Sequence, residues 1–415
     1  MSLIDGIAER AVRSGLAGLH EGRLTVTADG TSRAYGSGDG LHAHVTVRDP
    51  AFWRAVALGG HLGAAESWVA GDWTTPDLTE LVRLFVRNRE ILDGLETGPA
   101  RLAQPLRKAL HAWNRNTPEG SKRNIRAHYD LGNDFFRLFL DETLTYSAGV
   151  FERPGSSMKD ASIAKYDRLC RKLAIGPDDH VVEIGTGWGG FALHAAGTYG
   201  CRVTTTTISR EQHALATERI RDAGLEERVE VLLRDYRDLD GTYDKLVSIE
   251  MIEAVGHQYF GTYFRRCAEL LRPHGLAAIQ AITIQDRFYE SARREVDFIK
   301  RYIFPGSCIP SVSALTGAAA PTDLRLVHFD DMTPHYGETL RRWRHRFLDA
   351  WESIAALGFD ERFRRLWEFY FCYCEGGFDE AVLGSVQFLF AKPRARVPAP
   401  ADLPQPVALP SMAVA

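Results

Sequence analysis

The feature that most constrains this chain is a change of hydrophobic period near residue 180. From there, short apolar runs of strand character alternate with stretches patterned for helices. "HVVEIG" (180–185), "CRVTTTTI" (201–208), "VEVLLRD" (229–235), "YDKLVSIE" (243–250) and "GLAAIQAITI" (275–284) read as buried strands. Helical segments such as "REQHALATERIRDAGL" and "QYFGTYFRRCAELLR" lie between most of them. Strands joined by crossover helices pair in parallel, and helices then cover both faces of the sheet. The pattern therefore predicts an α/β fold built on a doubly wound, mostly parallel sheet. After an interruption at 284–320, "LRLVHFDDM" and "SVQFLFAKP" supply two further strands, placed for an antiparallel edge.

The first of these strands runs into Glu183, Gly185, Gly187 and Gly189, an E-x-G-x-G-x-G loop that opens a helix. Glycines let a backbone approach a ligand closely and take positive φ, and open α/β sheets bind ligands at this edge. Gly190 also completes the GxGxxG spacing of a dinucleotide loop, so spacing alone does not choose the nucleotide. Two features oppose a dinucleotide. An acid stands two residues before the first glycine, and the next strand ends in "TTTTISREQ", without the acid that would bind a ribose. No GK[ST] follows, which excludes a P-loop.

With 415 residues the chain is long enough for two domains, and its net charge of −4 does not mark a nucleic-acid binder. No apolar run approaches the ~20 residues of a membrane span. The N-terminus, "MSLIDGIAERAVRSGL", carries acids and lacks an apolar signal core, so a cytoplasmic protein is expected. Six cysteines show neither a CxxC pair nor metal-ligand spacing, so reduced thiols and no metal are expected. In the first block, Leu3 to Leu19 recur at helical spacing, "LHAHVTVRD" alternates like a strand, and 52–73 reads as short helices with glycine turns. Residues 101–126 hold seven Lys/Arg against one Glu. That segment reads equally as a solvated linker or as a patch for anionic lipid headgroups. The tail from 393, rich in Pro and Ala, is expected to be disordered.

The glycine loop, "TISREQ" (207–212), "YDKLVSIEMIEAVGHQYFGTYF" (243–264) and "DFIKRYIFPGSCIPS" (297–311) together resemble the cyclopropane fatty acid synthases, which include the mycolic acid cyclopropane synthases. "RAHYDLGNDFFRLFLDETLTYS" (126–147) is a further marker in the same order, and the resemblance runs from about 120 to 390. It implies the class I S-adenosylmethionine methyltransferase fold: a seven-stranded, doubly wound, mostly parallel sheet with a small N-terminal α+β domain. The domains it implies are a lipid-binding-like domain at 1–100, the basic linker at 101–122, a catalytic domain at 123–392 and the tail at 393–415. For the cofactor, S-adenosylmethionine, it implies contacts from Tyr146, Ser147, Glu183, Gly185, Gly187, Gly189, Thr207, Gln212, Asp235 and Tyr236. Helix capping is the plain alternative for Thr207 and Gln212.

The family's reaction transfers a methylene to a cis double bond of an unsaturated acyl chain, through a carbocation that a base deprotonates. The resemblance implies a bound bicarbonate as that base, in a cage of a Glu, a His, a Tyr and backbone amides. Glu253 and Tyr336 match the Glu and Tyr. The His position is Gln280, which can donate a hydrogen bond but carries no charge. The Cys that usually follows "YS" is Ala148, where a backbone N–H is all that is required. Cys374 matches a Cys once considered a nucleophile, although a carbocation route needs no thiolate. Tyr302, Phe304, Tyr370 and Phe371 are candidates to line an acyl tunnel or, more plainly, to fill core. The first reading is a cyclopropane-fatty-acyl-phospholipid synthase. The alternative is a fatty acid methyltransferase giving methylene- or methyl-branched chains, kept open by Gln280 and Ala148. The implied partners are unsaturated phospholipid chains at an anionic inner membrane face, contacted peripherally, with a possible homodimer.

Overall fold

In the computed structural model, residues 2–91, 131–399 and 401–410 are described. The basic segment 101–122 and the first residues of the 126–147 motif lie outside them. The chain gathers into two units.

The first unit contains 2–91 together with Glu295–Ile303 and Trp343–Val382. The helix Leu3–Leu16 opens with a capping box of Ser2 and Asp5, which satisfies backbone N–H groups that have no partner inside the helix. Four strands follow: β1 (Arg23–Ala28), β2 (Thr31–Gly36), β3 (His42–Val47) and β4 (Trp73–Thr74), in the order β2-β1-β3-β4. The β1–β2 hairpin turns at Asp29 and Gly30, with φ of 47° and 73°. Two consecutive positive φ angles match the twist of a tight hairpin, and Asp-Gly tolerates them. The helix Ala51–Ala70 is interrupted at Gly60 (φ 59°, ψ −141°), so it is two short helices joined at a glycine, as its composition predicts.

The helix Glu361–Asp379, expected within the catalytic domain, packs in this first unit. Trp367 and Phe371, 2% and 0% exposed, lie on its buried face. Arg365 donates to the carbonyls of Trp68 at 2.5 Å and Trp73 at 2.9 Å, and Trp68 Nε1 donates back to the Arg365 carbonyl at 3.0 Å. Arg83 and Arg87 both pair with Glu380. The division expected near residue 100 is therefore not a division of the chain into two consecutive pieces. An apolar helix face is buried where a matching surface exists in space, whatever the distance in sequence.

The second unit holds a seven-stranded sheet of β5 (His180–Ile184), β6 (Arg202–Thr207), β7 (Val229–Leu233), β8 (Tyr243–Ile249), β9 (Leu271–Ile284), β10 (Arg325–Asp331) and β11 (Leu383–Ala391). The order is β10-β11-β9-β8-β5-β6-β7. Strands β5 to β9 pair in parallel, and β11 runs antiparallel to both β9 and β10. This is the expected class I methyltransferase sheet. Val181, Val182, Leu246 and Val247 are wholly buried, in keeping with a sheet covered on both faces. The parallel pairing brings the loops after β5, β6, β7 and β8 to one edge.

The tail departs from the expected disorder over its described residues. Leu403 is 5% exposed and belongs to the core cluster. The Gln405 carbonyl accepts from Arg168 at 2.9 Å, and the Val407 carbonyl is 2.8 Å from His335 Nε2. One leucine in the core and two carbonyls on buried side chains hold a segment that has no regular structure of its own.

Candidate active site

The cofactor candidates stand along that edge. Gly185, Gly187 and Gly189 have φ of 101°, 52° and 86°, where an L side chain is strained. A Cβ on Gly185 would also press on the Met251 side chain at 3.2 Å. Beneath the loop Glu183 is 2% exposed and accepts from Thr205 Oγ1 at 2.7 Å. Burial pushes its pKa up to about 8, so this carboxyl is a neutral acid at pH 7. Thr207 Oγ1 donates to Gln212 Oε1 at 2.8 Å, while Ser209 caps the helix Arg210–Asp222. Capping thus belongs to Ser209, and the Thr207–Gln212 pair is left at the end of β6.

Asp235 and Tyr236 follow β7. The Asp235 carboxylate is engaged by the Arg237 guanidinium at 2.8 and 2.6 Å, so its side chain is already paired. The Tyr146 ring packs against Phe136 and Phe304, at centroid distances of 5.4 and 6.4 Å. Ser147 Oγ accepts from Lys165 Nζ at 2.5 Å.

The densest polar cluster centres on a residue absent from the sequence expectation, Glu250, just beyond β8. One carboxylate oxygen accepts from the Ala148 N–H at 3.0 Å and from Gln280 Nε2 at 2.8 Å. The other accepts from Tyr336 Oη at 2.7 Å. Burial raises the Glu250 pKa, opposed by the Lys165 charge and by these three donors. Lys165 is itself fully buried, and burial lowers its pKa to about 8 against the pull of Glu250, Asp141 and Glu183.

Glu253 lies three residues on. Its Oε1 accepts from the Ile282 N–H at 2.5 Å, and its Oε2 is buried without a hydrogen-bond partner among the described residues. Burial, then the neighbouring Glu250 charge, pushes its pKa up to about 8. The two carboxyls are therefore unequal. Glu250 has three donors and a nearby cation, whereas Glu253 has one donor, so the charge resides on Glu250 and the proton on Glu253.

The orientation of Gln280 follows from its neighbours. Lys172 Nζ donates to Gln387 Oε1 at 2.6 Å, and an ammonium group can only donate. The Gln387 amide nitrogen must then face Gln280 Oε1, at 2.9 Å, which turns the Gln280 amide nitrogen toward Glu250. Lys172 is anchored in turn on Asp330 at 2.6 Å, a carboxylate that also pairs with Arg168 at 2.7 Å.

A family model described as mycolic acid cyclopropane synthetase matches residues 116–388. The chain belongs to that family. It is 39% identical over 373 residues to the tuberculostearic acid methyltransferase of Mycobacterium tuberculosis, covering 88% of this chain and 86% of that protein. It is 33% identical over 358 residues to the cyclopropane-fatty-acyl-phospholipid synthase of Escherichia coli, covering 84% and 88%. The solved cyclopropane synthase structure from Mycobacterium tuberculosis superposes with a TM-score of 0.62 at 30% identity, over 65% of this chain and 98% of that one. A mycolic acid cyclopropane synthase complexed with SAH and CTAB matches with the same score, identity and coverage. As a family member the chain is an S-adenosylmethionine-dependent methyltransferase of lipid biosynthesis.

Set against the family expectation, Glu253, Tyr336, Gln280 and the Ala148 amide all lie around Glu250. Cys374 does not join them: it lies in the first unit, on the helix Glu361–Asp379. Burial and Asp297 push its thiol well above the usual range, which disfavours the thiolate a nucleophile requires. Tyr302, in the same unit, donates to Glu66 at 2.5 Å, and Tyr370 and Phe371 pack around Trp367 as core. Glu250, Lys165, Gln387 and Lys172 were missed. The available signal was a pair of acids three apart, "EMIE", directly after a buried strand. Among the described residues, no helix is long and apolar enough to cross a membrane.

Proposed function

We propose that this chain is a fatty acid methyltransferase that acts on a cis double bond of an unsaturated acyl chain and yields a methylene-branched product. The observation that carries this reading is the 39% identity, across 88% of the chain, to a tuberculostearic acid methyltransferase. The cyclopropane reading, placed first on sequence, becomes the second one. It keeps support from the Escherichia coli relative, 33% identical over 84% of the chain.

The residues present suit S-adenosylmethionine. The positive-φ glycines leave backbone room, and the Thr207–Gln212 pair and Ser147 offer polar groups at the same sheet edge. When bound, this cofactor supplies an electrophilic methyl that a carbon–carbon double bond can accept, which leaves positive charge on the acyl chain. The cluster around Glu250 supplies negative charge to stabilise that cation and a group to receive a proton. The fate of the cation decides the product. If the new methyl loses its proton while its carbon closes onto the cation, a ring forms. If a hydride first shifts to the neighbouring carbon, loss of the same proton leaves an exocyclic methylene. Saturating that methylene requires a hydride and a proton, so a methyl branch is assigned to a separate reduction.

The acyl chain is proposed to be presented in phospholipid, with the protein peripheral on a membrane surface. The test is to incubate purified protein with S-adenosylmethionine and vesicles of an oleoyl phospholipid, followed by lipid NMR and mass analysis. Vinylic exocyclic methylene signals and a gain of one CH₂ are expected. Upfield cyclopropane ring protons with the same mass gain would replace this reading by the second one.

A further inference from the structure

We propose that Glu250 is a built-in base that occupies the anion position of this site, so that the chain works without a bound bicarbonate. The inference rests on the methyltransferase reading above and names the proton acceptor within it.

Three of the groups expected to hold a bicarbonate are hydrogen-bond donors: the Ala148 amide, Gln280 and the Tyr336 hydroxyl. All three point at one carboxylate, that of Glu250, at 2.7–3.0 Å. An anion from solution would have to displace that carboxylate and then share the space with its charge. The residues present therefore do not fit bicarbonate; they fit a carboxylate delivered by the chain.

The backbone supports the same assignment independently. Glu250 has φ of 49°, in the left-handed region where glycine is favoured and a glutamate is strained. Its side chain reaches the three donors from this unfavourable turn, and its N–H is secured by the Gln280 carbonyl at 2.9 Å. The Lys172–Gln387–Gln280 chain sets the donor end of Gln280 toward Glu250, so Gln280 is a positioning residue. Lys165 supplies positive charge near the carboxylate, and Glu253, the poorer anion, keeps its proton.

In the proposed step a Glu250 oxygen takes the proton from the new methyl carbon. The C–H electron pair becomes the new carbon–carbon bond, a π bond in the branched product or the third side of a ring. The carboxylate becomes a carboxylic acid and later returns its proton to solvent. No oxidant, reductant or further reactant is required.

The test compares the wild type with Glu250→Gly and Glu250→Gln in buffer stripped of CO₂, with bicarbonate or formate added back. Glycine suits the left-handed turn and opens the anion position, while glutamine keeps the volume but cannot take the proton. Wild-type turnover is expected to be indifferent to bicarbonate. Both variants are expected to lose about 10²-fold or more, and Glu250→Gly is expected to recover in part with bicarbonate or formate. Titration with ¹³C-bicarbonate, followed by line broadening, should show saturable binding to Glu250→Gly and none to the wild type. The proposal is overturned if wild-type turnover falls as bicarbonate is removed, if the wild type binds bicarbonate saturably, or if either variant keeps turnover within a few-fold. Loss without rescue, in a folded Glu250→Gly that still binds S-adenosylmethionine, would make Glu250 a structural carboxylate and overturn it too. If instead the wild type modifies no unsaturated chain, the functional reading fails, while the bicarbonate titration still reports whether Glu250 fills the anion position.

Discussion

Replacing Tyr336 by Phe separates an electrostatic role from a structural one. Tyr336 is 5% exposed, and its hydroxyl donates to Glu250 Oε2 at 2.7 Å, the shortest of the three bonds on that carboxylate. Phe keeps the ring and its packing and removes only this donor. A hydrogen bond to a charged group contributes about 1.5–3 kcal/mol. At about 1.4 kcal/mol per pKa unit, its loss raises the Glu250 pKa by about 1–2 units. The base acts only when ionised, so its activity is lost as pH falls through that value. The acid limb of the kcat profile should therefore move to higher pH by about 1–2 units. On the wild-type acid limb the variant should be about 10- to 100-fold slower, and the two rates should converge at high pH. Glu253 is close enough to couple, so the limb belongs to the pair, and its displacement is the quantity to read. Stability carries the same sign. Burial already holds the Glu250 pKa above its ordinary value, and removing a donor raises it further. The extra destabilisation in urea should be small below the ordinary carboxylate range and full once pH exceeds the folded value. A rate loss equal at every pH, with no movement of the limb, would refute this account of Tyr336.

Lys165→Met removes the cation that pulls Glu250 toward ionisation, so its acid limb should also move upward; a downward move would contradict the assigned charge pattern. Glu183→Gln tests the neutral acid beneath the glycine loop. The Glu183 pKa is raised from 4.5 to about 8, so the stability it contributes is present below 4.5 and lost as pH rises through 8. The variant should lose less stability than wild type between pH 5 and pH 9, by an amount on the order of a few kcal/mol in urea titrations. Parallel curves would show that Glu183 ionises at little cost. Asp330→Asn leaves Lys172 and Arg168 buried without their carboxylate and should cost about 3–5 kcal/mol in equilibrium denaturation. A cost under about 1 kcal/mol would mean that solvent reaches the pair.

The parallel strands were legible because burial on both faces writes them as continuous apolar runs, which flanking helices punctuate. Four of the five expected strands end within two residues of their observed limits. The exception, β9, begins at Leu271 and passes through Pro273 and Gly275, residues that read as a turn. The hairpin of β1 and β2 was invisible for the opposite reason. Five of the six β2 residues are exposed, so no apolar alternation marks the strand, and only the Asp-Gly turn betrays it. The first unit's claim on Glu361–Asp379 is a tertiary fact: an amphipathic helix shows in sequence that it has a buried face, not what covers it.

In the site, the residues named from sequence were those whose places follow from the ends of strands. Glu250 escaped because its left-handed φ breaks the alternation by which side chains are assigned along β8. Its partners are 86 residues away at Tyr336 and 102 away at Ala148, so no local pattern records them. Gln280 then takes on a different meaning. Against a mobile anion, exchanging an imidazole for an amide reads as the loss of a charged partner and hence as weakened chemistry. Against a carboxylate tethered to the next strand, no charge is needed to retain the anion, and a donor of fixed orientation is enough. Lys172 and Gln387 fix that orientation from behind. The neutral residue at 280 and the strained acid at 250 are thus two parts of one arrangement, in which the backbone holds the base.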